Sequence, residues 1–364
     1  MRIGDRADRS SLEAAGYLVL SAPAEPHAHL DKALTADRVL NPAGDLLGAI
    51  NAWIQHRSTI AKADFVERAT RALEMGLANG TTAVRTHLDI GSDIGTTGVE
   101  ALLDVKAAMA GRVDLQLVGL VSSITDRRLG PGNRAALIDA IDLGLDVVGG
   151  VPHLEPDPRT ALEWLMEQAD TRALPLDLHT DENLEPGSLD LETLAERVLA
   201  EGFGHGVVAS HCVSLGIQPA EVQRRVAEKV AAAGVAVVAL PQTNLFLQAR
   251  GVVTAPPRGL TAVAALTAAG VDVAAGADNL QDPFCLVGRA DAFETAALMV
   301  MTAHLTPEAA YGAVSTNARR AMGLGPTDDL LAVRAASLRE AIASAPHDRV
   351  VVRDGAVVAC AQER

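Results

Sequence analysis

The chain has 364 residues, with 31 Lys and Arg against 46 Asp and Glu, and therefore a formal net charge of −15. This acidic balance argues against nucleic acid as a partner, because phosphate backbones are bound by clustered lysine and arginine. Three isolated cysteines and the lack of any ~18-residue apolar run argue against a disulfide scaffold and a membrane span, so we expect a reduced, cytoplasmic protein.

Short apolar runs alternate with longer amphipathic segments along the chain, which indicates strands and helices in turn. The expected strands are residues 18–24, 82–87, 116–121, 146–151, 175–179, 207–211, 235–240 and 271–275. The expected helices include residues 64–77, 99–109, 161–169, 191–199, 220–232 and 260–268. This alternation predicts an α/β fold, either a (β/α)8 TIM-type barrel or a doubly wound sheet. No GxGxxG follows the first strand and polar residues close most strands, which favours the barrel.

The two ends of the chain predict a second, smaller unit. Residues 329–333 and 349–358 are expected to form short strands, with a hairpin turn at Asp354-Gly355, and residues 16–19 add another. We therefore expect a barrel at residues 22–325 and a small, incomplete β-sandwich appendage from residues 1–21 and 326–364. Such an appendage leaves an edge that a second copy of the chain could cover, so a homo-oligomer stays open.

Histidines cluster at the carboxyl ends of the expected strands, where α/β barrels place their active sites. His27 and His29 follow the first strand and share one face of an extended chain, so both imidazoles can reach one metal ion. His179 closes the fifth strand and Asp278 follows the eighth. Three imidazoles and one carboxylate suit Zn²⁺ or Fe²⁺, with an open position for water.

This constellation resembles the amidohydrolase superfamily, and within it the cytosine-deaminase-like branch, over nearly the whole chain. The matching segments are Glu25-Pro26-His27-Ala28-His29-Leu30-Asp31, Val84-Arg85-Thr86-His87, Val148-Gly149-Gly150-Val151-Pro152-His153, His179-Thr180-Asp181-Glu182, Ala209-Ser210-His211 and Asp278-Asn279-Leu280-Gln281-Asp282-Pro283. The resemblance implies four metal ligands, namely His27, His29, His179 and Asp278. It also implies that Asp278 takes a proton from the water, that Glu182 shuttles protons and that His211 orients the water or the intermediate.

The scarcity of lysine bears on the number of metal ions. Binuclear members of the superfamily bridge two metals with a carbamylated lysine at the end of strand four, where this chain has Val151-Pro152-His153. None of its four lysines lies near that segment. The resemblance therefore implies one divalent ion per chain, Zn²⁺ or Fe²⁺. Such an ion lowers the pKa of a bound water from ~15.7 to near 7, which makes hydroxide available to attack a ring carbon.

Four positions expected near the substrate bear on which ring it is. Ser122 stands where the family has a pyrimidine-reading Gln, Asn279 replaces an Asp, and Phe284 stands where a Trp is expected. Lys32 follows the His-Leu-Asp run, as in some related triazine-ring hydrolases, and a cation there would favour an anionic ring or a carboxylate. We therefore expect a small nitrogen heterocycle for which cytosine is a poor model.

The favoured function is a metal-dependent aminohydrolase that removes an amine from a nitrogen heterocycle. Hydrolysis of a cyclic amide or of a halide-like leaving group on the same scaffold stays open, as does a non-catalytic metal-binding barrel. Metal storage alone would need neither Glu182 nor His211. The sequence leaves open whether four further polar residues at strand ends contact substrate, support ligands or are ordinary buried groups, namely His87, His153, Gln242 and Asn244.

Overall fold

The computed structural model describes residues 4–361. Its strands are β1 (Leu18–Ser21), β2 (Ala24–Ala28), β3 (Ala83–Ile90), β4 (Asp114–Val121), β5 (Val147–Gly150), β6 (Leu176–Thr180), β7 (Val207–His211), β8 (Ala236–Ala239), β9 (Val273–Ala275), β10 (Leu330–Val333), β11 (Arg349–Arg353) and β12 (Ala356–Ala361). Its helices are α1 (Arg9–Ala14), α2 (Leu46–Arg57), α3 (Lys62–Ala78), α4 (Thr97–Ala108), α5 (Gly130–Leu143), α6 (Pro158–Thr171), α7 (Asp190–Glu201), α8 (Ala220–Ala232), α9 (Pro241–Leu247), α10 (Val263–Ala268), α11 (Ala292–Thr302), α12 (Pro307–Ala313), α13 (Thr316–Ala321) and α14 (Leu338–Ser344). Within this range no helix combines the length and the apolar character needed to cross a membrane.

Strands β2 to β9 form a parallel sheet in which each strand pairs with the next along the chain. Their residues are buried almost throughout, because helices cover the outer face and the barrel interior is filled by side chains. Beyond β9, Asp278 forms a parallel bridge with Ala28 and donates its N–H to the carbonyl of His27 (3.1 Å). The sheet thereby curls back on itself, so the predicted (β/α)8 barrel is confirmed and the doubly wound sheet is wrong.

The outer helices pack on the barrel through one apolar face each. In α3 the buried positions include Phe65, Ala69, Leu73 and Leu77, which recur every four residues as one stripe of the helix. Every helix expected from the sequence overlaps a helix of the structure, and the ends differ by three residues or fewer. Amphipathic periodicity therefore located the barrel helices well.

The first barrel strand lies further along the chain than the sequence pattern predicts. The apolar residues of 18–21 form β1, which pairs with β10 outside the barrel, whereas the barrel strand is β2. The predicted strand 18–24 was therefore wrong. Strand β2 contains Glu25 and Pro26, and its pairing with β3 shifts register between Glu25 and Ala28. This irregularity accommodates a proline, which has no N–H to give to a sheet.

A side chain takes over part of the pairing where β2 meets the end of β9. The Glu25 carboxylate accepts the N–H of Ala277 (2.9 Å) and the N–H of His27 (3.2 Å). Gly276 makes room for this contact, because a Cβ at that position would lie 2.3 Å from Oε1 of Glu25. Glu25 therefore fixes the backbone on both sides of the junction between β2 and the end of β9, directly beside His27 and Asp278.

A four-stranded antiparallel sheet with the order β1-β10-β11-β12 lies beside the barrel. Residues alternate between its two faces, so Leu331 and Val351 join the core of the barrel while Ala332 and Val350 pack under Leu12 of α1. The expected β-sandwich is therefore a single sheet backed by a helix within the described part of the chain. Residues 1–3 and 362–364, which belong to the predicted appendage, lie outside the described range.

Candidate active site

Side chains that point into the barrel are arranged in layers. Alternate residues of a strand share a face, which places Arg85 and His87 of β3 inside together, and likewise Asp177 and His179 of β6. Arg85 pairs with Asp177 (2.8 Å), and two residues further along both strands the His87 ring lies against His179, with ring centroids 4.8 Å apart. A buried ion pair therefore lies beneath a layer of histidines.

The four predicted metal ligands meet at the upper, carboxyl-terminal side of these layers. The Nε2 atom of His179 lies 3.2 Å from Nε2 of His27 and 3.2 Å from Nε2 of His29. The Oδ1 atom of Asp278 lies 3.2 Å from Nε2 of His29 and 3.7 Å from Nε2 of His27. All four side chains are buried. The fold thus brings residues from β2, β6 and the turn after β9 to one point.

These four groups fit a divalent metal ion. Burial lowers the pKa of His27, His29 and His179 well below its ordinary value, so the imidazoles are neutral and can offer lone pairs. Neither carboxylate oxygen of Asp278 accepts a hydrogen bond from the described residues, and a buried carboxylate without partners needs a counter-charge. Two atoms that each lie ~2.0–2.2 Å from one ion are at most about 4.4 Å apart, and the distances of 3.2–3.7 Å given above satisfy this limit.

Glu182 and His211 stand beside the cluster of ligands. Nδ1 of His211 lies 3.0 Å from Oδ1 of Asn244 and 3.6 Å from Oε1 of Glu182, and Nε2 lies 3.9 Å from Oδ2 of Asp278. An amide oxygen only accepts, so Nδ1 carries the proton and Nε2 presents a lone pair. Burial lowers the pKa of His211 to about 3 and raises the pKa of Glu182 to about 8. At neutral pH the site therefore holds a neutral imidazole and a protonated carboxyl.

The backbone is strained at two residues of the site, His211 and Asp278. His211 has φ 71° and Asp278 has φ 66°, both in the left-handed region that residues with a Cβ avoid. Each such residue costs about 1–3 kcal/mol and persists where the surrounding structure holds it. Strain at the ends of β7 and β9 is typical of a functional rim.

A cavity of about 200 Å³ extends from the ligands toward α2. One face of α2 forms its wall through Leu46, Ile50, Trp53, Ile54 and Arg57. Helix α2 was not predicted from the sequence, although the spacing of these residues is helical and Asp45 caps the helix by accepting the N–H of Gly48 (2.8 Å). Helix α2 lies in the long connection between β2 and β3, where α3 already supplies the one helix that the barrel pattern requires. A second helix was therefore not expected there.

Charged groups in the cavity wall form a network, named here the Asp89 cluster, which consists of Lys32, Trp53, Arg57, Asp89 and Asp93. Asp89 accepts hydrogen bonds from Nζ of Lys32 (2.8 Å), Nε1 of Trp53 (2.8 Å) and Nη1 of Arg57 (2.9 Å). Arg57 also binds both carboxylate oxygens of Asp93 (2.9 Å each). Burial raises the pKa of Asp89, but the charges of Lys32 and Arg57 outweigh burial and hold it below the ordinary value.

The structure corrects the expectation of a free cation at Lys32. Its side chain is only 3% exposed and its ammonium lies 2.8 Å from Asp89 and 3.5 Å from Asp31, besides 3.2 Å from Nδ1 of His29. Two carboxylates therefore neutralise the charge that was expected to select an anionic ring. Lys32 instead joins the Asp89 cluster to a predicted ligand.

The variant Lys32→Met is expected to lower the free energy of unfolding by about 3 kcal/mol, because it removes the ion-pair partner of buried Asp31 and one of the two cations that contact Asp89. Urea denaturation of the metal-free protein measures this effect without a contribution from bound metal. The matched control is Lys62→Met, whose lysine is 43% exposed and pairs with Asp104 at 2.8 Å. Exposed pairs contribute about 0–1 kcal/mol. Equal stability losses in the two variants would contradict this role of Lys32.

The other predicted substrate residues line the same cavity, but two of them are already engaged. Asn279 donates to Asp282 (2.8 Å) and accepts from Thr243 (3.2 Å), while Ser122 accepts from Arg57 (3.0 Å). The Phe284 ring faces the cavity with its centroid 5.7 Å from Nζ of Lys32. The wall thus offers a substrate mainly apolar surface.

The four residues whose roles the sequence left open separate into different places. Asn244 holds His211 as described above, whereas Gln242 donates to Thr295 (2.6 Å) behind the site. The His87 ring stacks on His27, with centroids 3.9 Å apart, inside the barrel. His153 lies in the turn after β5, outside the lining of the cavity. The geometry places Asn244 and His87 in contact with predicted site residues.

Comparisons with known proteins agree with this geometry. The amidohydrolase family model matches residues 61–333, three quarters of the chain. Pterin deaminase from Rhizobium rhizogenes is 33% identical over 347 residues, which cover 92% of this chain and 79% of that protein. The structure of 5-methylcytosine deaminase from Klebsiella pneumoniae liganded with 5-fluorocytosine superposes with a TM-score of 0.89 at 29% identity, covering 100% of this chain and 91% of that chain.

A third relative extends the comparison. N-isopropylammelide isopropylaminohydrolase from Burkholderia multivorans superposes with a TM-score of 0.82 at 30% identity, covering 95% of this chain and 88% of that chain. The family match, the barrel and the cluster of His and Asp at its rim agree, and the resemblance stated from the sequence is confirmed. The chain belongs to the amidohydrolase family and is a metal-dependent hydrolase that acts on carbon–nitrogen bonds.

Proposed function

We propose that the chain holds one divalent ion, Zn²⁺ or Fe²⁺, and hydrolytically deaminates an amino-substituted nitrogen heterocycle. The observation that carries the proposal is the convergence of His27, His29, His179 and Asp278 beside a cavity that Glu182 also lines. The count of one follows from the segment after β5, which has no lysine to bridge a second ion. The reaction consumes one water, breaks the bond from the ring carbon to its amino nitrogen and releases ammonia.

His27, His29, His179 and Asp278 would hold the ion, which would act as a Lewis acid and make water nucleophilic at neutral pH. Side chains of the protein then transfer the protons. Asp278 has carboxylate oxygens free of hydrogen bonds and accepts the proton that the water loses. Glu182 is protonated in its buried setting, so it donates to a ring nitrogen and carries a proton to the departing amine.

His211 has a narrower part in this scheme than the sequence suggested. The expectation was that it orients the water or the intermediate. With Nδ1 bound to Asn244, its Nε2 atom accepts a hydrogen bond from the water and orients it. Asn244 acts through His211 as a positioning residue.

The preferred substrate is proposed to be a fused or substituted ring such as a pterin. Leu46, Ile50 and Ile54 of α2 line the cavity together with Leu120 and Val121, and such apolar walls suit a second ring or an apolar substituent. Ser122 and Asn279 do not supply the matched polar edge expected for cytosine, because the amide of Asn279 is bound to Asp282 and Thr243 and Ser122 offers a single hydroxyl in place of an amide. The deamination of a pterin by a relative 33% identical supports the same choice.

Ammonia release over pterins, aminopyrimidines, aminotriazines and creatinine-like rings tests this proposal. We expect pterins to be turned over best, and cytosine at least about 10²-fold more slowly in kcat/KM, because unpaired ring polar atoms cost ~1–3 kcal/mol each. A kcat/KM for cytosine above ~10⁵ M⁻¹s⁻¹ would overturn the substrate assignment. Ring opening without ammonia would replace deamination by hydrolysis of a cyclic amide. No reaction of the metal-loaded protein with any of these rings would overturn both.

The catalytic unit is proposed to be residues 22–325, because every residue assigned above lies within them.

A cytoplasmic localisation is also proposed. The three cysteines are free thiols, two of them buried, which fits the reducing conditions of the cytoplasm.

A further inference from the structure

Buried polar groups connect the predicted ligand His27 to the ion pair beneath it. Nδ1 of His27 lies 2.8 Å from Oγ of Ser210, which donates to Oδ1 of Asp177 at 3.4 Å. The other oxygen of Asp177 accepts from Nη1 of Arg85 (2.8 Å). These four side chains are at most 2% exposed, so water does not compete for their hydrogen bonds.

The direction of the hydrogen bonds in this chain is set by its lower end. Arg85 can only donate and a carboxylate can only accept, so both oxygens of Asp177 are acceptors. Ser210 has one hydroxyl proton, and it gives that proton to Asp177. Its oxygen is then left to accept, and the group that faces it is Nδ1 of His27. His27 must therefore carry its proton on Nδ1.

We propose that Ser210 and Asp177 are positioning residues that fix the tautomer of His27, so that its Nε2 lone pair faces the metal site. The proposal rests on the metal site proposed above but not on the substrate. Outer partners of ligating histidines commonly fix ring orientation and tautomer in this way. Nothing in the sequence motif indicates this role, because Asp177 and Ser210 lie on other strands than His27.

Two substitutions at Ser210 separate this role from simple packing. Ser210→Ala removes the acceptor and is expected to weaken Zn²⁺ binding about 10-fold, the lower end of the range for such partners. Ser210→Thr keeps the hydroxyl and is expected to restore the affinity. Ser214→Ala is the matched control, because it removes another buried hydroxyl, bound to the carbonyl of Ser188. Competition with a chromophoric chelator measures the affinity of each folded variant.

Asp177→Asn provides the sharpest test, because it reverses the chain of hydrogen bonds. The new amide must turn its oxygen to Arg85 and its NH₂ to Ser210, so Ser210 gives its proton to Nδ1 of His27. The proton of His27 then moves to Nε2, and Zn²⁺ binding is expected to weaken about 100-fold. In metal-free protein labelled with ¹⁵N-histidine, the NMR signals of His27 should change from the Nδ1–H to the Nε2–H tautomer.

The outcomes of these tests separate a failure of the tautomer role from a failure of the proposed deaminase activity. Unchanged Zn²⁺ affinity in folded Asp177→Asn, or an unprotonated Nδ1 of His27 in the unaltered metal-free protein, would overturn the tautomer role. If Asp177→Asn does not fold, equal affinities of Ser210→Ala and Ser210→Thr would overturn it instead. Neither readout involves a substrate, so a failure to find deaminase activity would leave this result standing.

Discussion

Replacing Asp278 or His27 by alanine is expected to release the metal and to remove measurable activity. The unaltered protein should contain about one divalent ion per chain, and each variant should contain far less. Substitutions of the outer partners of a ligand cost about 10–100-fold in metal affinity, and removal of the ligand itself should cost more. Asp278→Ala also removes the carboxylate that balances the charge of the ion.

Elemental analysis of the purified variants, with activity on the best substrate, measures this effect. His205→Ala is the matched control, because His205 is a partly exposed histidine that lies 3.4 Å from Asp170, away from the site. It should keep both metal and activity. Two tightly bound ions per chain in the unaltered protein would contradict the single-metal assignment, and full metal content in Asp278→Ala would contradict its role as a ligand.

Glu182→Gln is expected to keep the fold and the metal while kcat falls by about 10²- to 10⁴-fold, the range usual for a general acid–base group. An amide of the same size fills the buried site but cannot give up a proton and take it back. The raised pKa of Glu182, about 8, means that the group removed is the protonated acid. Steady-state kinetics together with metal content distinguishes a loss of chemistry from a loss of metal.

The control for this variant comes from the same loop. Glu185→Gln changes an exposed carboxylate three residues further along and should leave kcat and metal content unchanged. If Glu182→Gln turned over the best substrate at the normal rate, the proton-shuttle assignment would be wrong. If it lost its metal, Glu182 would belong to the support of the ligands rather than to the chemistry.

The barrel could be predicted because its signals are local and repeated. Buried parallel strands read as continuous apolar runs, and the helices between them read as amphipathic stripes. Strand β2 does not show this pattern, since it is short and contains Glu25 and Pro26. The more apolar β1 was therefore predicted as the first barrel strand in its place. Hydrophobicity alone does not tell which of two sheets a strand joins.

The site was predictable only where its residues lie at strand ends. The four predicted metal ligands all lie at strand ends, and the fold brings them together. The Asp89 cluster has no such signal, because Lys32, Arg57 and Asp89 lie on a turn, a helix and a strand with no common spacing. Their pairing changes the chemistry, since it converts an expected free cation into a neutralised one. Which charges cancel is a property of the tertiary structure.

The junction that Glu25 forms between β2 and the end of β9 has a consequence for folding during translation. Glu25 and Ala277 are 252 residues apart in sequence, and at ~5–20 residues per second a ribosome needs roughly 10–50 s to travel that distance. During this time β2 has one edge that its final neighbour does not yet cover. A charged residue and a proline on such an unpaired edge disfavour pairing with other chains. Glu25 and Pro26, which make β2 hard to recognise by hydrophobicity, are therefore also residue types that disfavour aggregation through this edge.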